Sequence, residues 1–260
     1  MALLEVRGLT VSFGGVLAND RIDLDVETGM IVGVIGPNGA GKTTLLDAIT
    51  GFVPTNAGHV SFDSVELTTS SPAARARAGL ARTFQSLELF EDLTVHDNLA
   101  VGAHRQRWWS LALDLVAPKR LAPADAAEVA RILAALDLDA LADAAPSALS
   151  HGQRKLVGVA RALAARPKLL ALDEPAAGLD TTESRRLGER LRGFLDGGPS
   201  ILLIDHDMDL VLDVCDRVYV LDLGSVIAVG TPAEVRADPA VVAAYLGPQA
   251  TNARREQPGG

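Results

Sequence analysis

Eight consecutive residues, Gly36-Pro37-Asn38-Gly39-Ala40-Gly41-Lys42-Thr43, carry the most specific chemistry in this 260-residue chain. They fit the pattern G-x-x-x-x-G-K-[ST] in full. In that pattern glycines let backbone N–H groups close around phosphates, and the next helix turns its positive end toward the same anion. Lys42 is placed to reach β- and γ-phosphates, and the Thr43 hydroxyl to ligate Mg2+. Far downstream, Leu169-Leu170-Ala171-Leu172-Asp173-Glu174 is an apolar run that ends in two acids. Asp173, at a strand tip, suits Mg2+ held through its water shell. Glu174, next along, is placed to orient or deprotonate an attacking water. The two motifs together point to hydrolysis of a nucleoside triphosphate.

These residues need elements to position them. Runs at 30–35, 169–172, 200–204 and 218–221 are short and rich in Val, Ile and Leu, as strands buried on both faces are. Helical stretches at 43–50, 153–165 and 181–195 lie between them, so the pattern predicts an α/β fold with a parallel sheet and crossover helices. The segments 3–11 and 22–26 instead alternate, as half-exposed antiparallel strands do. From about 87 to 149 the chain is rich in Ala and Leu and lacks a strand pattern. A helix opening at Pro123 and running to about Leu136 makes this stretch a mostly helical insert. Thr231-Pro232-Ala233-Glu234 is a capping box with Pro at the first helical position, and 249–260 reads as a frayed polar tail.

Composition bounds the function. Thirty-three Asp and Glu against 24 Lys and Arg give a net charge of −9, which disfavours a nucleic-acid partner, whose phosphates are neutralised by Lys and Arg. No run approaches the roughly 20 apolar residues of a membrane-spanning helix, and the start lacks a secretory pattern. The single cysteine, Cys215, reads as a small core residue. Five histidines (His59, His96, His104, His151 and His206) show no metal-ligand spacing. The acids Asp205, Asp207 and Asp209 start like a calcium loop, but Leu210 stands where such a loop needs Gly. Trp108-Trp109 lies in the insert, open both to local packing and to contact with a membrane partner.

A third motif, Leu149-Ser150-His151-Gly152-Gln153, precedes the helical stretch 153–165. At this point the chain strongly resembles the ATP-binding-cassette ATPases, which join a phosphate loop, an LSGGQ-like loop and an Asp-Glu strand end in this order. The resemblance covers about residues 2–247. It implies a P-loop NTPase (RecA-like) core at about 2–86 and 153–247, with an N-terminal antiparallel β subdomain. It also implies a helical subdomain at about 87–152 and a flexible tail at 248–260. Gln85 in Arg82-Thr83-Phe84-Gln85 resembles the glutamine that senses Mg2+ and the attacking water. Gly178-Leu179-Asp180 resembles the D-loop, His206 the switch histidine that contacts the γ-phosphate, and Phe13 the ring that stacks on adenine. The phosphates would lie against Gly36 to Gly41, Lys42, Thr43 and Thr44. Two departures, His151 in place of a small residue and Asp205 before His206, remove no reacting group.

The resemblance implies ATP and Mg2+ as cofactors and a second ABC ATPase subunit, like or unlike, packed head-to-tail. Ser150, Gly152, Gln153 and Asp180 would meet the nucleotide held by that partner. A finer likeness, to the longer ATPase type of branched-chain amino acid importers, lies in Ser12-Phe13-Gly14-Gly15, Arg82 to Gln85, Glu174 to Leu179, Asp205 to Met208, and Gly230 to Gly247. It implies transmembrane permease subunits as partners, with Leu87, Leu89, Phe90 and Leu93 as candidates for receiving a permease helix. It also implies an extracytoplasmic solute-binding protein met indirectly, and a peripheral place on the cytoplasmic face of the inner membrane. ATPases for urea or amide uptake and for lipopolysaccharide export share much of this pattern. Non-transport ABC ATPases form a competing class, set aside because the insert is short, lacks sustained heptads and sits in a single cassette.

Overall fold

In the computed structural model, which describes residues 2–83, 89–103 and 122–246, the alternation of the first thirty residues becomes one hairpin. Strands β1 (Ala2–Phe13) and β2 (Val16–Glu27) pair antiparallel across Gly14 and Gly15, both left-handed. Leu4, Val6, Ile22, Leu24 and Val26 are fully buried while their neighbours Glu5 and Asp25 are not, which is the two-residue period of a sheet with one wet face. β4 (Ala57–Phe62) and the short β5 (Val65–Glu66) complete a four-stranded sheet in the order β2-β1-β4-β5.

The continuous apolar runs form the second sheet. Its strands are β3 (Ile31–Ile35), β6 (Leu80–Arg82), β7 (Leu169–Asp173), β8 (Ser200–Ile204), β9 (Arg217–Asp222) and β10 (Ser225–Gly230), in the order β10-β9-β3-β8-β7-β6. β9, β3, β8, β7 and β6 run parallel, and β10 closes one edge antiparallel. All residues of β3, β7 and β8 are buried, as strands covered on both faces must be. The predicted strand 218–221 is one residue longer at each end, and the predicted 30–35 begins at Ile31.

Helices α1 (Lys42–Thr50), α2 (Pro72–Ala78), α6 (Thr181–Gly193), α7 (Met208–Val214), α8 (Pro232–Ala237) and α9 (Pro239–Leu246) surround the sheets. The fully buried Arg75 of α2 donates to the carbonyls of Ala48 and Ile49 in the last turn of α1, the first of which also accepts from the capping Gly51 N–H. The stretch between β6 and β7 holds α3 (Val95–Ala103), α4 (Pro123–Ala135) and α5 (His151–Ala164), with no strand among its described residues. At the α3–α5 crossing a methyl on Gly102 would stand 2.2 Å from the Arg161 carbonyl oxygen, so the helices touch backbone to backbone. β3, at the centre of the parallel sheet, has β9 on one side and β8 on the other. A strand order that reverses there leaves a crevice at the strand ends, where α/β sheets place their ligands.

Candidate functional site

Residues 36–41 leave the end of β3 and hand over directly to α1. A methyl on Gly36 would meet the Leu221 carbonyl oxygen at 2.1 Å, and one on Gly41 the Ala18 carbonyl oxygen at 2.4 Å, so both positions require glycine. The loop is pinned from β2, where Asn19 Nδ2 donates to the Gly41 carbonyl at 3.1 Å, and from the β9–β10 turn, where Gly224 N donates to the Ala40 carbonyl at 3.1 Å. Gly41 caps α1 without a side chain, which leaves the first-turn N–H groups to an anion. Lys42 is 6% exposed and its ammonium donates to the Gly36 and Pro37 carbonyls at 2.7 and 3.0 Å. Burial lowers its pKa, opposed by the negative charges of Glu174, Asp173 and Asp205. Thr43 beside it is exposed, as are Asn38 and Gly39, whereas Thr44 and Pro37 are half-buried. Phe13, at the hairpin tip, offers an exposed ring.

Two acids at the end of β7, its last residue Asp173 and Glu174 just after it, place their charges against Lys42 of this loop. Asp173 has a side chain 2% exposed. Its Oδ2 accepts from Arg82 Nη2 at 2.9 Å, while Oδ1 is buried without a hydrogen-bond partner. Burial raises its pKa and the Arg82 hydrogen bond and charge oppose that. A buried acceptor left open beside Thr43 and Lys42 is the donor set that suits a hydrated Mg2+ accompanying a phosphate, so these residues fit that ion. Glu174 adopts a left-handed backbone with φ 46°, held by its N–H donating to the Ile204 carbonyl at 2.7 Å and by Lys155 Nζ donating to its carbonyl at 2.9 Å. His206 Nδ1 stands 3.8 Å from Glu174 Oε1 and 3.4 Å from Asp205 Oδ1. Asp205, fully buried, accepts from the N–H groups of His206, Asp207 and Ala176 at 2.8, 3.0 and 3.1 Å, joining the loops after β8 and β7. Asp207 is the N-cap of α7, a helix-capping role for the acids that began like a calcium loop.

The LSGGQ-like residues and the D-loop form a second group. Ser150 caps α5, whose first residue, His151, lies two residues ahead of the predicted helix start. Its hydroxyl accepts from Gln153 N at 3.2 Å, and Gln153 Oε1 accepts from Ser150 N at 2.8 Å. Asp180 caps α6 in the same way with Glu183. A methyl on Gly152 would meet Leu179 at 2.8 Å, and one on Gly178 the His151 ring at 3.2 Å, so the two loops pack on each other within one chain.

Gln85, Leu87, His104, Trp108-Trp109 and the tail 248–260 lie outside the described residues. Of the other groove candidates, Leu89 is buried, Leu93 half-buried and Phe90 exposed. Leu89 and Phe90 help line an apolar groove of about 740 Å³, with Phe52, Ala76, Val101 and Ala162. Among the described residues no helix is long and apolar enough to cross a membrane. Three side chains at the site carry no motif in the sequence: Arg82, Lys155 and Asp47, bonded respectively to Asp173, to the Glu174 carbonyl and to Arg82. Their signal is charge beside an apolar element, but the partner of each is distant in sequence.

The ABC transporter family profile matches residues 19–177, and the profile of the branched-chain amino acid ATP-binding cassette transporter matches residues 225–247. The high-affinity branched-chain amino acid transport ATP-binding protein BraF of Pseudomonas aeruginosa is 38% identical over 251 residues, spanning 94% of this chain and 98% of that protein. The lipopolysaccharide export system ATP-binding protein LptB of Escherichia coli K12 is likewise 38% identical over 251 residues, 95% of this chain and 98% of that one. Among solved structures, the ADP conformation of an ATP-binding cassette of an ABC transporter superposes with a TM-score of 0.83 at 33% identity. It covers 95% of this chain and 99% of its own. On these matches the chain belongs to the ABC transporter family as one of its ATP-hydrolysing cassettes.

Proposed function

We propose that this cassette powers uptake of branched-chain amino acids through a membrane permease, and the observation that carries the solute is the branched-chain family match at residues 225–247. The resemblance to BraF over nearly the whole of both chains supports it. In this reading Phe13 stacks on adenine, the N–H groups of Asn38 to Gly41 and of Thr44 close on the phosphates while Pro37 shapes the loop without donating, and Lys42 leaves its carbonyl partners for the β/γ oxygens. Thr43, Gln85 and Asp173 would hold Mg2+, which when bound neutralises charge on the phosphoryl oxygens. Glu174 takes the proton of the attacking water, and His206, 3.8 Å away, contacts the γ-phosphate and keeps the carboxylate aimed. Ser150, Gly152, Gln153 and Asp180 serve the nucleotide of a second cassette, a reading supported by their gathering together where α5 and α6 begin. The apolar groove beside Phe90 receives a short permease helix. The chain thereby sits at the cytoplasmic face of the membrane.

The similarity to LptB favours a second reading, lipopolysaccharide export. Leucine uptake by cells carrying Lys42→Ala separates the two. Uptake lost, with permeases recovered from solubilised membranes on a tag attached to this chain, supports import. Unchanged uptake with failing lipopolysaccharide export overturns it.

A further inference from the structure

Arg82 ends β6, three residues before Gln85, and its side chain is 6% exposed. One end of its guanidinium donates to Asp47 Oδ1 and to Thr50 Oγ1, both on α1, the helix that follows the phosphate loop. The other end donates to Asp173 Oδ2 at 2.9 Å, on β7. Its plane is flanked by Phe52, with Arg82 Cζ 5.8 Å from the ring centroid. A single side chain thus ties the phosphate-loop helix, the strand leading to Gln85 and the acid of β7.

We propose that Arg82 is a positioning residue for Asp173, fixing which carboxylate oxygen faces the nucleotide's Mg2+; this rests on the reading of Asp173 as a metal residue. A carboxylate's terminal torsion is broad, so an aspartate held only by its backbone turns freely. A charge-assisted hydrogen bond on Oδ2 removes that freedom and leaves Oδ1, buried and otherwise unpartnered, as the oxygen on offer. The second end of the guanidinium, anchored on α1, sets where the first can reach. Lysine, a single point of charge, serves one carboxylate at a time and cannot keep this geometry. Partners of metal-binding groups in comparable settings change metal affinity about 10- to 100-fold.

The test is binding of fluorescent ATP to the purified full chain, in EDTA and in Mg2+. For Arg82→Gln and Arg82→Lys, affinity in EDTA should stay within about twofold of the parent chain, while the gain conferred by Mg2+ falls about tenfold or more. Asp173→Asn should lose the same gain. A full Mg2+ gain in both Arg82 variants overturns the proposal. So does an equal loss in EDTA and in Mg2+, which is the signature of a merely structural arginine. Should Arg82→Gln fail to fold, Arg82→Lys, which keeps a buried cation, decides the matter alone. A full gain in Asp173→Asn overturns instead the underlying reading of Asp173.

Discussion

Glu174 is held by its backbone before its carboxylate does anything. A left-handed conformation in a residue with a Cβ costs on the order of 1–3 kcal/mol, and three contacts maintain it here: the Ile204 carbonyl, the Ala177 N–H and the Lys155 ammonium. That turn swings the side chain off the line of β7 and toward His206. Glu174→Gln keeps size and backbone demand and removes only the ability to take a proton. We therefore expect nucleotide affinity within about twofold and a turnover lower by about 10²–10⁴-fold, read as ATP binding and phosphate release in the assembled complex. An unchanged rate would remove Glu174 from the role of base. Asp173 and Glu174 were legible in the sequence not by themselves, since acids after a strand are often only solvated, but because the apolar run that ends on them accompanies a full phosphate-loop motif upstream. Lys155 and Arg82 were not, because each acts through a partner that only the fold brings near, and no local period marks a contact made across the sheet.

At the scale of elements, α5 carries two duties at its N-terminus. Ser150 and Gln153 close a capping box that satisfies the helix's first N–H groups, and the same residues belong to the loop proposed to meet a second cassette's nucleotide. The duties separate by substitution. Ser150→Ala removes the cap and should cost about 1 kcal/mol in urea unfolding. Ser150→Asn caps as well as serine and should unfold with the parent chain, yet lower ATPase activity in the complex because the hydroxyl is gone. Equal activity with equal stability would leave Ser150 a cap only. The strands β3, β7, β8 and β9 were readable to within a residue or so, since buried parallel strands announce themselves as unbroken apolar runs. β4, β5, β6 and α2 were not, being two to seven residues long and held by neighbours rather than by their own pattern. Arg75 shows why: a buried arginine in a seven-residue helix reads as surface until its carbonyl partners on α1 are in view.

Across the whole molecule the candidate site residues fall into two groups on one chain. The phosphate loop, Asp173, Glu174 and His206 gather at the ends of β3, β7 and β8, whereas Ser150, Gly152 and Asp180 gather where α5 and α6 begin. In the function proposed above the two groups are the halves of a clamp, and each site is completed by a second cassette placed head-to-tail. Two such chains of charge −9 repel when bare, and this repulsion is screened only beyond a Debye length of about 10 Å at 0.1 M salt. In that reading closure needs the bound nucleotide, because its phosphates are the anion that the N-terminus of α5 and Ser150 can meet across the interface, a local attraction set against the repulsion between the chains. Glu174→Gln, which keeps ATP uncleaved, should sediment as a pair of cassettes with ATP and Mg2+ and as single chains without nucleotide, whether the second cassette is another copy or a related ATPase of the same complex. Adding ADP in place of ATP should return single chains, because the γ-phosphate is the group both halves share. Single chains under every one of these conditions, with this chain alone and with the related ATPase present, would remove the head-to-tail clamp from the mechanism.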